Sequence, residues 1–334
     1  MNHQGRDIFI DPRFDADYGR HPLVLADVGA RGGLKRNWAA AARHLRVIGF
    51  EPDEREYRRL IERADPSRTF VHAALHDRRG PLPLYLARDR GLSSIFRPNR
   101  AFVDAFPDAD RFDTTEVVEI QADTLDNLLG ARDIVDVDFI KADTQGSELF
   151  VLRGAERTLT TTAVGVEVEV EFAPLYVGQP LFADVDGFLR GLGYHLFDLR
   201  PCRWKRAVGR DAGGPYGQVI WADALYLKST AAVETMAGSL PADLSRSKLL
   251  RAISVALLYG YADYALAIAS GTTGLQTHER DLVLAALRAA NPAHVGPAFP
   301  GRRRLAAMSR ALWRMLRRSN EGWSVSDSGI GNLD

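Results

Sequence analysis

From Leu23 to about Lys228 the chain alternates short apolar runs with stretches of helical periodicity. The runs are LVLADVG, RVIGFEP, TFVHAAL, VDFIKAD, AVGVEVEVEF, YHLFDL and DALYLK. β-rich runs alternating with helical segments specify an α/β fold, a mostly parallel sheet covered by helices on both faces, here with seven strands. Between TFVHAAL and VDFIKAD an insertion carries PLPLYLAR, GLSSIFRP and VVEIQADTLDNLL. Their alternation predicts extra strands beside the main sheet, placed to shape a substrate pocket. After Lys228 the composition turns to Ala, Ser and Pro and then to alanine-rich helix. The pattern therefore divides into an N-terminal extension over 1–22, a sheet domain over 23–228, a linker over 229–247, a C-terminal α-helical extension over 248–318 and a disordered tail over 319–334.

The last helical stretch, RRRLAAMSRALWRMLRRS, sets Leu305, Met308, Leu312 and Met315 on one side. Arg303, Arg310, Arg314 and Arg317 occupy much of the rest. Such a face packs on the helical extension or on a second copy in a homo-oligomer; the alternative is peripheral membrane contact through 302–318. The most apolar stretch, LLRAISVALLYGYADYALAIAS, is broken by Arg251 and Asp263 and reads as buried helix, so no transmembrane segment is expected.

Charge narrows the partners. Lys plus Arg equals Asp plus Glu at 43 each, leaving no overall positive field to gather phosphates, so nucleic acid is disfavoured. Cys202 is the single cysteine and fits a reducing compartment. The first residues, MNHQGRDIFIDPRFDADYG, lack the apolar core of a secretory signal, and a cytoplasmic location is expected.

The first strand ends in LADVGARGG, where Asp27 precedes a turn built on Gly29, Gly32 and Gly33 before a helix that includes Trp38. In a parallel sheet this turn lies at the carboxyl ends of the strands, where a ligand must approach the backbone closely. The spacing is Asp-x-Gly-x-x-Gly. It differs from the dinucleotide fingerprint, whose middle glycine makes room for a pyrophosphate. S-adenosylmethionine has no pyrophosphate and offers a positive amine and sulfonium, for which Asp27 is a sensible neighbour. The second strand ends in Glu51, followed by Pro52, where a carboxylate can accept both ribose hydroxyl hydrogens. The cofactor-binding candidates are Asp27, Gly29, Ala30, Gly32, Glu51, Pro52 and Asp143, with Ala74 and Leu75 lining the adenine pocket.

Two further segments carry a family resemblance. VDFIKADTQGSELFVLRGAERTL and VEVEVEFAPLYVGQPLFADVDGFLRGLGYHLFDL, in order after DVGARGG, GFEPD and ADTLDNLL, resemble the FkbM methyltransferases over about Leu23 to Lys228. The resemblance implies a Rossmann-like class I methyltransferase fold. It also implies S-adenosylmethionine-dependent O-methylation of a hydroxyl on a glycan, a glycolipid precursor or a secondary metabolite. Arg31 is a departure, in a turn where many members carry a smaller polar residue. Ser93 and Ser94 resemble a substrate-side segment of the family.

Methyl transfer to a hydroxyl needs alignment of the two reactants and a group that takes or orients the hydroxyl proton. Asp143, after the strand VDFIKA and before the Gly146 turn, is the leading catalytic candidate, and it doubles as a cap for the helix near Ser147. In VGVEVEVEF, Glu167, Glu169 and Glu171 share one face of a strand that should be apolar on both. Glu167 and Glu169 join Asp143 as catalytic candidates, while Glu171 reads as part of a salt-bridge network, with Lys141, Arg153 and Lys205 available to neutralise the row. A divalent cation on Asp143 and Glu167 is a secondary option. His76, at a strand end, is a substrate-side candidate with Ser93 and Ser94, against the ordinary reading of a satisfied structural histidine. The rival functions are an NAD(P)-binding oxidoreductase, opposed by the glycine spacing, and a non-catalytic scaffold that keeps the fold.

Overall fold

Strand formation follows the apolar runs. The computed structural model describes residues 11–31, 33–214, 216–290, 300–316, 323–326 and 329–332. In chain order the strands are β1 (Leu23–Val28), β2 (Leu45–Phe50), β3 (Arg68–Val71), β4 (Ala74–Leu75), β5 (Gly80–Ala87), β6 (Thr114–Asp123), β7 (Phe139–Ala142), β8 (Gly165–Glu171), β9 (Tyr194–Trp204), β10 (Gln218–Lys228) and β11 (Ser324–Ser326). The main sheet has the order β11-β9-β10-β8-β7-β1-β2-β3. β1 pairs in parallel with both β2 and β7, and β7 with β8, while β10 runs antiparallel between β8 and β9. The chain thus winds outward from β1 to β3 and returns to β7 on the other side of β1. That reversal opens a crevice at the carboxyl ends of β1 and β7, where doubly wound sheets bind ligands.

All seven expected strands of the main sheet are present, but the sheet has eight. The extra one, β11, comes from the segment expected to be a disordered tail. It pairs antiparallel with β9, which would otherwise present a bare edge. Trp323 packs on Trp204 at 5.4 Å, and Ile330 is buried, so apolar contact holds this segment in place. The insertion, joined by β4 from the end of TFVHAAL, forms a separate three-stranded sheet, β4-β6-β5. Two of its three expected pieces are strands. GLSSIFRP instead makes a 3-10 turn at Arg90–Leu92 and touches β5 through one bridge, Tyr85 to Ser94.

The expected linker over 229–247 is also structured. Helices Thr230–Gly238 and Ala242–Leu258 cover it, with Val233, Met236 and Ala237 buried. Helices Ala262–Gly271 and Thr277–Ala290 follow. Rather than forming their own unit, these helices share one apolar cluster with Leu23 and Leu25 of β1, Val47 of β2 and Phe139 of β7. Trp38, on the 3-10 helix Arg36–His44, lies between them, 5.1 Å from Phe139 and 6.2 Å from Tyr259. Helix Ala242–Leu258 is buried around most of its circumference, Lys248 and Arg251 included, so its polar groups need partners inside the fold. Among the described residues no helix is long and apolar enough to cross a membrane.

Beneath the amino ends of β1 and β7 that helix contributes two cations to a buried cluster. Lys248 Nζ lies 2.6 Å from Asp138 Oδ1 and 2.5 Å from Asp136, and Arg251 lies 2.5 Å from Asp136 and 3.3 Å from Asp138. Asp138 also accepts the Val24 N–H at 2.9 Å. Lys248 and Asp138 are both fully buried. Removing one member of such a pair leaves an uncompensated buried charge, so Lys248→Met should lower unfolding free energy by about 3–5 kcal/mol. Urea denaturation followed by circular dichroism measures this, and a loss under about 1 kcal/mol would contradict a shared core.

Candidate active site

Gly29 has φ +74, and a Cβ there would lie 2.0 Å from the Asp143 carbonyl oxygen. Only glycine lets the turn after β1 cross the turn after β7 at this distance. The strand ends are then sewn together. The N–H groups of Gly29 and Ala30 reach the Phe50 carbonyl at 3.1 and 3.3 Å, and the Asp143 N–H reaches Val28 O at 3.1 Å.

Around this crossing is a cleft of about 230 Å³. Gly29, Arg31 and Glu51 line it together with Asp143, Thr144 and Gln145, and Pro52, Ala74, Leu75, Leu84 and Ile120 supply apolar surface. Leu84 and Ile120 come from the inserted sheet, which thus forms part of the cleft wall. A second hollow of about 520 Å³, between that sheet and the segments 52–54 and 72–73, shares Pro52, Ala74, Leu84 and Ile120 with it. Glu51 is buried and accepts the Asp53 N–H at 2.9 Å, which leaves further acceptor capacity on its carboxylate. Burial pushes its pKa up to about 7, against the opposing pull of that hydrogen bond. An apolar hollow with a carboxylate at the end of β2 fits the purine and ribose diol of an adenosyl group.

The turn after β7 holds its polar groups tightly. Gln145 sits at φ +57, unusual for a residue with a side chain. Its Nε2 donates to Asp143 Oδ1 at 3.1 Å and to Glu169 Oε1 at 2.6 Å. The Tyr176 hydroxyl lies 3.0 Å from Gln145 Oε1, and Ser94 Oγ donates to the Gln145 carbonyl at 2.6 Å. Asp143 is therefore a cleft carboxylate whose orientation is set by its neighbour, and Glu169 stands one residue behind it.

Behind Gln145 three carboxylates gather. Oxygens of Glu148, Glu169 and Glu171 lie within 4.8 Å of one another. Glu148 is satisfied by the N–H groups of Thr144 at 2.6 Å and Gly146 at 2.9 Å, whereas Glu171 Oε1 has no hydrogen-bond partner among the described residues. Burial raises Glu148 to about 7, and burial together with the neighbouring carboxylates raises Glu169 and Glu171 well above the usual carboxylate range. All three therefore bind a proton more readily than an exposed carboxylate does. Among the described residues these three, and not Asp143 with Glu167, have the spacing of a metal-ligand set.

Other expected site residues lie elsewhere. Glu167 is not in the cleft: it pairs with Lys35 and accepts the Tyr259 hydroxyl at 2.7 Å, so its carboxylate is committed to the fold. Asp27 sits below the turn, 3.2 Å from Lys141 Nζ, and Ala30 is buried outside the lining. His76 stacks on Phe150 at 4.7 Å, lies 2.7 Å from Asp77 and is outside the cleft lining. Of the serine pair, Ser93 lines the cleft and accepts the Ala87 N–H, while Ser94 is buried as a tie to Gln145. Gly32 lies outside the described residues. Of the three proposed counterions only Lys141 is near the acidic row, and Lys205 donates instead to the Ala212 carbonyl. Glu171, expected in a salt-bridge network, forms no ion pair among the described residues.

Sequence reasoning missed Gln145, Glu148, Tyr176 and Lys35. The Gln145-Gly146 turn, directly after an apolar strand ending in Asp143, was the available signal. The others come together only through tertiary contact.

A family model described as methyltransferase FkbM domain matches residues 27–196. No curated protein matches the chain significantly. Among solved structures, magnesium protoporphyrin IX methyltransferase (ChlM) from Synechocystis PCC 6803 with bound SAM is similar at 10% identity and TM-score 0.32, over 69% of this chain and 85% of that one. The N-terminal domain of EvdMO1 in the presence of SAH and D-fucose is similar at 10% identity and TM-score 0.31, over 67% and 83%. Precorrin-6y C5,15-methyltransferase from Geobacter metallireducens GS-15 is similar at 11% identity and TM-score 0.28, over 64% and 87%. Scores this low carry no inference about ligand or acceptor.

The raised carboxylates make stability depend on pH. Their folded pKa values exceed the unfolded value near 4.5, so the folded chain keeps protons that the unfolded chain loses as pH rises. Stability should therefore fall as pH rises from about 5 through 7, and Glu171→Gln should flatten that fall. Urea midpoints across this range test it; a wild-type midpoint that rises instead would contradict the proton-holding cluster.

Proposed function

Because the chain belongs to the FkbM methyltransferase family, we propose that it transfers the methyl group of S-adenosylmethionine to a hydroxyl of a small-molecule acceptor such as a glycan, a glycolipid precursor or a secondary metabolite. The observation that supports this most directly is the crossing of Gly29 over Asp143, which gathers Glu51 and Asp143 about one cleft. Glu51 would hold the ribose diol, and Pro52, Ala74, Leu75 and Ile120 would contact the purine. Arg31, the departure noted in the turn, lines the same cleft and offers a cation for the carboxylate of the methionine moiety.

When bound, S-adenosylmethionine supplies an electrophilic methyl on a positive sulfur. Asp143 would accept the proton of the acceptor hydroxyl as its oxygen bonds to that methyl and the sulfur–carbon bond breaks toward sulfur. Gln145 fixes the Asp143 carboxylate, and Glu169 positions Gln145 from behind, which gives the two acids different tasks. Ser93 lies at the acceptor side. Closure of the pocket by the inserted sheet limits water around the reacting atoms.

Two measurements test the assignment. Asp143→Asn should keep binding of S-adenosylhomocysteine within a few-fold while lowering methyl transfer by about 10²–10⁴-fold. For Glu51 the ionised form accepts the diol hydrogens, and its pKa stands at about 7, so affinity for S-adenosylhomocysteine should climb as pH rises through about 7 and level off above it. In Glu51→Gln the affinity should be weaker and flat with pH. Calorimetry reads both, and absence of binding to the wild type at every pH would remove the cofactor assignment.

A further inference from the structure

The helix Arg302–Leu316 is the one part of the described fold whose apolar stripe has no cover. Leu305, Met308 and Leu312 recur at three- and four-residue spacing on it and are 56%, 68% and 57% exposed. The expectation that this face packs on the helical extension is not met at these positions. A stripe of this kind beside a charged face is unusual on a protein surface. Its charge is also one-sided: every charged residue from 302 to 318 is an arginine, although acids and bases balance over the whole chain. The segment is not a trailing end. Past the helix the chain returns to the sheet edge, where β11 pairs with β9 and the Asn332 N–H reaches the Tyr259 carbonyl at 2.7 Å.

We infer that this helix docks the protein on an anionic lipid surface. An exposed apolar stripe can insert at the boundary of headgroups and acyl chains, while a segment that carries arginines and no acid in its sequence is matched to the lipid phosphates. Low overall hydrophobicity on a short helix excludes spanning and fits lying in the interface plane. A second copy of the chain is the rival occupant, and the acid-free, arginine-only charge of the 302–318 sequence argues against it, because two such helices would repel each other across a self-complementary contact. The inference does not depend on the acceptor of the methyl group.

Flotation of the full chain with vesicles tests it. One vesicle set is phosphatidylcholine alone and the other contains about 30% phosphatidylglycerol. The wild type should partition onto the anionic vesicles only, and high salt should release it. Arg303→Gln/Arg310→Gln/Arg314→Gln should cut the partition coefficient by about a hundred-fold. Leu305→Glu/Met308→Glu/Leu312→Glu should cut it by at least about ten-fold while leaving the circular dichroism unchanged, since those side chains are exposed. Failure of the wild type to float, or equal flotation with neutral vesicles, overturns the inference. So does a dimer in light scattering that the Leu305, Met308 and Leu312 changes convert to monomer.

Discussion

A row of acidic and basic side chains runs across one face of the main sheet, and the rest of the structure is arranged to pair them. Asp27 on β1 stands opposite Lys141 on β7, and Lys141 stands opposite Glu167 on β8. Lys35 then joins Glu167 to Asp223 on β10, and Arg200 on β9 reaches Asp223 at 2.6 Å. Burial works against the charge on Lys141, yet Asp27, Asp143 and Glu167 together hold it above the usual lysine range. Sheets covered on both faces are normally apolar there, because a buried charge left alone costs several kcal/mol. Opposite charges in register from β1 through β7 to β8 and again from β10 to β9, with Lys35 bridging the two acids between them, offset that cost.

The row makes the C-terminal helices indispensable. Tyr259, at the end of helix Ala242–Leu258, donates to Glu167 and stacks against Phe139, closing the row from above. The same helix holds Asp136 and Asp138 through Lys248 and Arg251 at the opposite end of the strands. The segment matched by the family model ends at residue 196, before β10 and before these helices. The folding unit is therefore larger than the family segment.

The cleft stands on this frame. Where the row meets the carboxyl ends of the strands, opposite charges run out, and burial with mutual repulsion raises the proton affinity of Glu148, Glu169 and Glu171 instead. Gln145 is the boundary between the two regimes. It touches Asp143 on the cleft side and Glu169 on the buried side, so the position of the cleft carboxylate is coupled to the state of the acids behind it. A neutral amide can serve both neighbours at once, which a third carboxylate at that place could not.

The local sequence by itself determined the strands, their α/β class and the turn chemistry, because hydrophobic period and glycine placement are properties of a few consecutive residues. It placed Gly29, Glu51 and Asp143 at strand ends for the same reason, and the family resemblance rested on such local segments. Only the tertiary structure decided which acids do what. Glu167 and Glu169 look alike two residues apart on one strand, but one meets Lys35 and Tyr259, and the other meets Gln145. Those partners lie about a hundred residues or more away for Glu167 and about two dozen away for Glu169, beyond any local pattern. The same holds for β11 and the supposed linker, whose polar composition reads as loop until an open sheet edge and an apolar face are found waiting for them.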